Sequence, residues 1–322
     1  MRHVGPAVLA VVVVVLATLP LLVSRAATFR LAGFLVLVLY AAAFYLIAGT
    51  AGMTSLGQAA FYGLGAYTAG LLLKAGGGLG GSFVAAALAG AAAAVVIGYV
   101  SLRATGIHFA MLTLSLAQVV YLIVFRVPIF GGDNGLPGIR VPPAGFGAWQ
   151  VTLHQPERFY YVALLVVLGG VWALWVVTRS SFGCVLRSLR EDPVRTAALG
   201  VNVRRAQLAA FVVAGALTGV AGSLAAALEG IVTPETLLWT NSALPLIVVL
   251  LGGVGSFWGP IVGAGAFELL RMLTRQSDIW MGAILLLVVL LLPDGVFGLI
   301  ERVQRSLAGA LKARPLAAGD AR

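Results

Sequence analysis

The chain is short of charge: only 10% of its 322 residues are Asp, Glu, Lys or Arg, while 61% are hydrophobic. An ordinary soluble domain carries about 25% charged residues and about half apolar ones. A chain this apolar cannot cover itself with polar surface, so a soluble globular fold is excluded. Cysteine is scarcer still. Cys184 stands alone, which excludes an intrachain disulfide, and His3, His108 and His154 lie far apart with no Cys/His cluster at metal-ligand spacing. Neither a metal nor redox chemistry is expected. Lysine occurs only as Lys74 and Lys312, and no Gly-x-x-x-x-Gly-Lys-Ser/Thr phosphate loop exists. The chain is therefore not expected to bind ATP by that route, nor any other cofactor. Gly63 and Gly65 lie inside an apolar helical segment, so they do not open a dinucleotide site. Carboxylates are also few. Of the 11 acidic residues only Glu268 falls within an apolar run, whereas ion-coupled carriers place such costly groups along their routes. Glu268 precedes Arg271 by three positions, a spacing that permits a local ion pair on one helix face.

What the chain has is long apolar runs. A bilayer core is crossed by roughly 20 helical residues. Ten candidate spans can be read between breakers: Ala7 to Val23, Leu31 to Ala48, Leu56 to Leu73, Ser82 to Val100, Ile107 to Phe125, Tyr160 to Val177, Gln207 to Leu228, Ala243 to Gly252, Pro260 to Leu273 and Ile279 to Leu292. The eighth and ninth are too short to cross as straight helices and read as broken or re-entrant pieces. The expected fold is thus an all-α polytopic membrane protein of about ten transmembrane or partly re-entrant helices. Met1-Arg2-His3 before the first run resembles the start of a signal peptide, but Ser24-Arg25-Ala26-Ala27 is a poor cleavage site, so an uncleaved first helix is expected.

The net charge of +10 would suggest nucleic acid if it formed one soluble patch. It does not, and no nucleic-acid partner is expected. The basic residues cluster in Arg179 to Ala206, with Arg187, Arg190, Arg195, Arg204 and Arg205, and again after Ile300. The comparably long stretch Val127 to Phe159 holds only Arg140 and Arg158. By the positive-inside rule the first two are cytoplasmic, the third external, and both termini lie inside. One transmembrane domain over residues 1–300 is expected, containing the loop 179–206 and followed by a basic tail, 301–322.

Two glycine-punctuated segments lie in opposite halves of the chain: Gly49 to Gln58, and Gly252 to Pro260. Paired interruptions of this kind are the sequence pointer to a pathway built from inverted repeats, and non-helical backbone at that depth must line protein or water. Gly52, Ser55, Gly57, Gln58, Gly252, Gly253, Gly255 and Ser256 are the candidate pathway residues. The alternative is close helix packing through small residues, which needs no pathway. Gln58 and Gln118 suit hydrogen bonds to neighbouring helices.

The segment Arg179 to Asn202 alternates apolar and charged residues. Leu186 and Leu189 at helical spacing suggest one short amphipathic helix; Pro193 can start a second, which Gly200 can stop. Docking onto a partner and lying on the membrane surface would give the same pattern. Docking candidates are Leu186, Leu189, Arg190, Glu191, Asp192, Ala197, Ala198 and Gly200.

That loop, with Ala197-Ala198-Leu199-Gly200-Val201-Asn202, resembles the corresponding segment of LivM-type branched-chain amino acid ABC transporter permeases. So do Gly52 to Phe61, Phe109-Ala110-Met111-Leu112-Thr113-Leu114, Gly131-Gly132-Asp133-Asn134-Gly135-Leu136 and Leu251 to Pro260, in the family's order from about Ala48 to Phe297. Cys184 departs from the polar or basic residue expected there, and Gly145 to Arg158 shows no family feature. The resemblance implies a permease subunit in a bacterial inner membrane, not an enzyme. It would work with a second permease, two cytoplasmic ATP-binding subunits that hydrolyse ATP, and an extracytoplasmic solute-binding protein. The cargo would be leucine, isoleucine, valine or a related amino acid. Urea or short amides are the alternative cargo, and an ion-coupled secondary transporter the alternative class.

Overall fold

The computed structural model describes residues 14–20, 22–142 and 155–274, with the short pieces 282–283, 286–287 and 295–298. Most of the tenth expected span, the start of the first, and the tail beyond Ile300 lie outside the described residues. The described chain is α-helical. After α1 (residues 14–20) come α2 (Arg25–Tyr45), α3 (Gln58–Lys74), α4 (Leu79–Ser101), α5 (Gly106–Arg126), α6 (Pro156–Arg179), α7 (Ser181–Glu191), α8 (Pro193–Ala198), α9 (Val203–Glu229), α10 (Trp239–Gly252) and α11 (Gly259–Leu273). Five helical stretches are long and apolar enough to cross a membrane: Arg25–Thr50, Leu79–Ser101, Gly106–Arg126, Glu157–Arg179 and Val203–Glu229. The chain is an all-α polytopic membrane protein. At 17, 14 and 15 residues, α3, α10 and α11 fall short of the roughly 20 that a straight crossing needs.

Cα packing divides the chain into two compact units, Met1–Leu246 and Ile247–Arg322. In the first, depth of burial sorts the spans. The apolar windows of α2 and α9 are 78% and 61% buried, against 28%, 22% and 33% for α4, α5 and α6. The inner helices therefore carry the packing, and the others turn most of their apolar surface outward, as only a bilayer or another membrane subunit permits.

Small residues make that packing close. Along α9, Ala210, Ala214, Gly215, Gly219, Ala221 and Gly222 are buried. A Cβ on Gly219 would strike the Ala86 carbonyl of α4, one on Gly222 the Tyr62 carbonyl of α3, and one on Gly90 the Gly215 carbonyl. Backbone thus lies against backbone across three helices. In lipid, where helices gain nothing from hiding apolar area from one another, such contact is a main source of association. Phe61 and Phe109 add edge-on contacts to Phe211 at 5.3 and 5.9 Å between centroids, a favoured aromatic arrangement.

At the opposite end of the bundle from α7, Leu136–Pro137 (β1) pairs antiparallel with Ile231–Val232 (β2), Leu136 facing Val232. The Ile139 N–H continues the ladder to the Gly230 carbonyl at 2.9 Å. Gly135, at φ +63°, lets the chain pass where a Cβ would meet the Val232 carbonyl. This tie is not visible in the sequence, because a two-residue ladder has no alternation to read. Tyr160 and Tyr161 of α6 donate to the carbonyls of Leu16 and Ala17 in α1 at 2.8 and 3.1 Å.

In the second unit, the end of α10 and the start of α11 form a tight helical turn. Cβ atoms on Gly252 and Gly263 would strike the carbonyls of Gly259 and Val248. Glu268 and Arg271 do not form the ion pair their spacing permits; among the described residues the ion pairs are Arg25–Glu157 and Arg195–Asp192. Spacing alone brings such groups within reach without fixing their rotamers.

The seam predicts that Gly219→Val lowers the melting temperature of the detergent-purified protein, overpacking costing about 1–3 kcal/mol or more. Gly169→Ala, in α6 with nothing within 4 Å of a new Cβ, leaves it unchanged or slightly raised. An unshifted melt for Gly219→Val would refute the close α4–α9 approach.

Candidate functional site

The first glycine-rich segment is a break in a membrane helix. At its end α2 relaxes into a single π turn, Leu46–Thr50, with the Ala51 N–H donating to the Leu46 carbonyl at 3.2 Å and the Met53 N–H to Ile47 at 2.8 Å. π turns of this kind gather at functional sites. Residues 51–57 then run without helix to α3. Gly52 turns the chain at φ +71°.

An interrupted helix leaves orphan N–H groups, and in hydrocarbon each costs several kcal/mol. Here hydroxyls of α5, α10 and the break itself supply the acceptors. The Leu56 N–H donates to Thr113 Oγ1 of α5 at 3.1 Å, the Gly57 N–H to Ser55 Oγ at 3.2 Å, and the Ala59 N–H to Ser242 Oγ of α10 at 2.8 Å. Ser55, Gln58, Thr113, Thr218 and Ser242 are all 0% exposed. Thr218 of α9 donates to Gln58 Oε1 at 3.1 Å, while Gln58 Nε2 has no partner among the described residues.

A second interruption is satisfied alongside. Pro245 inside α10 has no N–H for the Asn241 carbonyl, and Tyr40 of α2 donates its hydroxyl to that oxygen at 2.9 Å. The Tyr40 ring stacks on Tyr62 of α3 at 4.7 Å. The first turn of α10 is thereby pinned to both sides of the α2–α3 break.

Gly57 has a packing reason to be glycine: a Cβ there would lie 2.8 Å from the Thr113 carbonyl. The structure gives its absent side chain a role in helix approach. In the other unit, Gly252 ends α10, Gly253 turns at φ +108°, Ser256 Oγ accepts from the Trp258 N–H at 3.3 Å, and Gly255 has open space around it.

The loop after α6 folds as two capped helices. Ser180 caps α7, its Oγ accepting from the Gly183 N–H at 3.4 Å. Asp192 caps α8, its Oδ1 accepting from the N–H groups of Val194 and Arg195 at 3.0 Å each, with Pro193 in the first helical position, where a proline fits. Gly200 ends the segment at φ +85°, and Asn202 caps α9 through the Arg205 N–H at 3.1 Å.

Leu186 and Leu189 turn inward, at 0% and 2% exposure, so they hold α7 to its own chain. Glu191, Ala197, Ala198 and Gly200 are exposed. The large apolar side chains facing out are Val194 and Leu199, at 81% and 79%. Helical spacing finds the amphipathic face but cannot tell which side is inner, and so it misses these two.

The break and the loop, far apart in sequence, touch. Arg190 of α7 donates from Nη1 to the Gly49 carbonyl in the π turn, and a Cβ on Gly52 would lie 2.8 Å from Arg190 Cγ. Arg187 anchors the same helix to the Thr178 carbonyl of α6 at 2.6 Å.

A bundle of apolar spans, one broken within the bundle and roped at its break to a capped amphipathic loop, is the build of a transport permease. Residues 27–293 match the family of branched-chain amino acid transport system permease components, and the chain belongs to that family. It is 31% identical to the high-affinity branched-chain amino acid transport system permease protein LivM of Escherichia coli K12, over 83% of this chain and 68% of that protein. To LivM of Salmonella typhimurium it is 29% identical, over 91% and 75%. A partial likeness, 26% identical over 58% of this chain and 64% of that protein, joins it to the permease protein LivH of E. coli K12. No solved structure matches significantly.

Thr113→Val and Ser242→Ala each orphan a buried N–H, a loss of about 1–3 kcal/mol. Both should lower the melting temperature of the purified protein, whereas Ser115→Ala, on the exposed side of α5, should not. Wild-type melts for both would mean that the α3 N-terminus is satisfied by other groups.

Proposed function

We propose that this chain is one of two permease subunits in an ABC importer for branched-chain amino acids, leucine, isoleucine, valine or a close relative. The family and the relatives named for this transport support that reading. The chain is a transport subunit and not an enzyme. Its partial likeness to LivH supports a paired permease of similar build. Two cytoplasmic ATPases and an external binding protein complete the proposed assembly in a bacterial inner membrane, with ten crossings and both termini cytoplasmic.

The observation that carries the mechanism is the Arg190–Gly49 contact. Closure of ATPases docked on the exposed face of α7 and α8, through Val194 and Leu199, would displace α7. Arg190 passes that displacement to the end of α2, where the backbone is already broken. The α2–α3 break is then the gate of this chain, and the α10–α11 turn its counterpart in the second half.

Orientation is tested by thiol labelling in intact cells. Cysteine in Asp133→Cys should react with an impermeant reagent added outside, and Cys184 should be protected. Reversed labelling would place α7 outside and remove the ATPase contact.

Coupling is tested in reconstituted complexes. Val194→Asp and Leu199→Asp should weaken capture of the ATPases, because an unpaired charge in an apolar contact is costly. Arg190→Gln should retain the ATPases yet lose most substrate-stimulated uptake, with Arg190→Lys recovering part of it. Normal uptake by Arg190→Gln would sink the rope; normal capture and uptake by both aspartate variants would move α8 to the membrane surface.

A further inference from the structure

Where α4 ends and α9 begins, at the same end of the bundle as α7 and α8, Arg103, Arg204 and Arg205 line one surface pocket of about 360 Å³ with Tyr99, Leu102 and Leu208. No carboxylate lines it. The ion pairs among the described residues engage Arg25 and Arg195, so these three guanidiniums have no acidic partner among those residues.

Their position gathers three like charges at a helix start. Arg204 and Arg205 sit in the first turn of α9, where the helix already presents about half a positive charge and acidic side chains are the favoured residues. Arg103 adds a third charge, its guanidinium 5.4 Å from the centre of the Tyr99 ring. An anion between them would offset the like-charge and helix-dipole repulsions and leave the Arg103–Tyr99 contact in place. Planar guanidinium forks match phosphate oxygens in pairs.

The surroundings distinguish the kind of anion. Val96, Tyr99, Val100 and Arg103 share one face of the α4 region at helical spacing, and the first three are 66%, 63% and 42% exposed. An apolar face of a membrane span therefore runs directly into the arginine pocket, with an aromatic ring at the junction where such rings prefer to sit. We propose that this pocket binds the phosphate headgroup of an anionic phospholipid, whose acyl chains lie along Val96 and Val100. The inference stands on the membrane class of the chain and is independent of its cargo.

The test uses the full transporter complex in nanodiscs of phosphatidylcholine with and without phosphatidylglycerol, reading retained phosphatidylglycerol by native mass spectrometry. Each Arg→Gln change at 103, 204 or 205 should lower its affinity about fivefold, and the triple variant roughly a hundredfold. Added salt should act in the same direction. Arg179→Gln, a basic residue held over Trp175 outside the pocket, should change little. Val96→Asp should weaken lipid retention, and soluble glycerol phosphate should compete poorly. Unchanged retention by all three single variants would overturn the proposal, and these remain readable if the triple variant does not assemble. Equal loss in Arg179→Gln would reduce it to general surface charge. Full competition by glycerol phosphate with Val96→Asp unaffected would make it a free-anion site. Loss of the ATPases with phosphatidylglycerol retained would make it a protein contact.

Discussion

The rest of the structure depends on one constraint: backbone N–H groups inside hydrocarbon must find acceptors. Between Gly52 and Gln58 the chain abandons the helix that would satisfy them. Thr113 and Ser242 then have to be where they are, which fixes α5 and the first turn of α10 against the break. Pro245 extends the same rule to α10, since the carbonyl it frees is claimed by Tyr40. A net hydrogen bond contributes only about 1 kcal/mol, but an orphaned buried group costs more than that. The hydroxyls therefore act less as glue than as conditions for the break to exist.

Those positions are reachable only because the neighbouring helices approach so closely. Gly219 and Gly222 bring α9 against α4 and α3 backbone to backbone, and Thr218, one turn before Gly222, thereby reaches Gln58. The pathway reading and the packing reading of the glycines are thus not exclusive. Gly57 and Gly222 are packing glycines, while Gly52 is a conformational one that also admits Arg190. Only the last is tied to the loop.

Much of this architecture is legible in the amino-acid sequence. The long apolar runs mark the spans, and Pro193 and Gly200 mark the ends of α8 within a residue or two, because caps and breakers act locally. What stays hidden depends on knowing the inside from the outside. In a membrane chain both lipid and core are apolar, so the spacing of Leu186 and Leu189 shows a stripe without saying that it faces inward, and Val194 and Leu199 attract no notice. The ladder between β1 and β2 is hidden because two residues carry no period. The Arg190–Gly49 contact spans 141 positions, a distance no local pattern encodes. Glu268 and Arg271 show the converse, a local pattern without the contact.

The same physics indicates where this chain would yield under load. A continuous helix resists local displacement, since its ladder is formed cooperatively. The α3–α9 seam cannot slide either, because Gly222 lies against the Tyr62 carbonyl with no room for a shift. Between these rigid parts, Ala51 and Met53 hang on the π turn by backbone bonds, while Leu56 and Gly57 are each held by a single hydroxyl, which another hydroxyl or a water could replace. Arg190 grips the end of α2 beside that segment. A pull on α7 would therefore be absorbed before Gln58, leaving α3 in place, and Gln58, whose Nε2 lacks a partner among the described residues, would lie at that boundary.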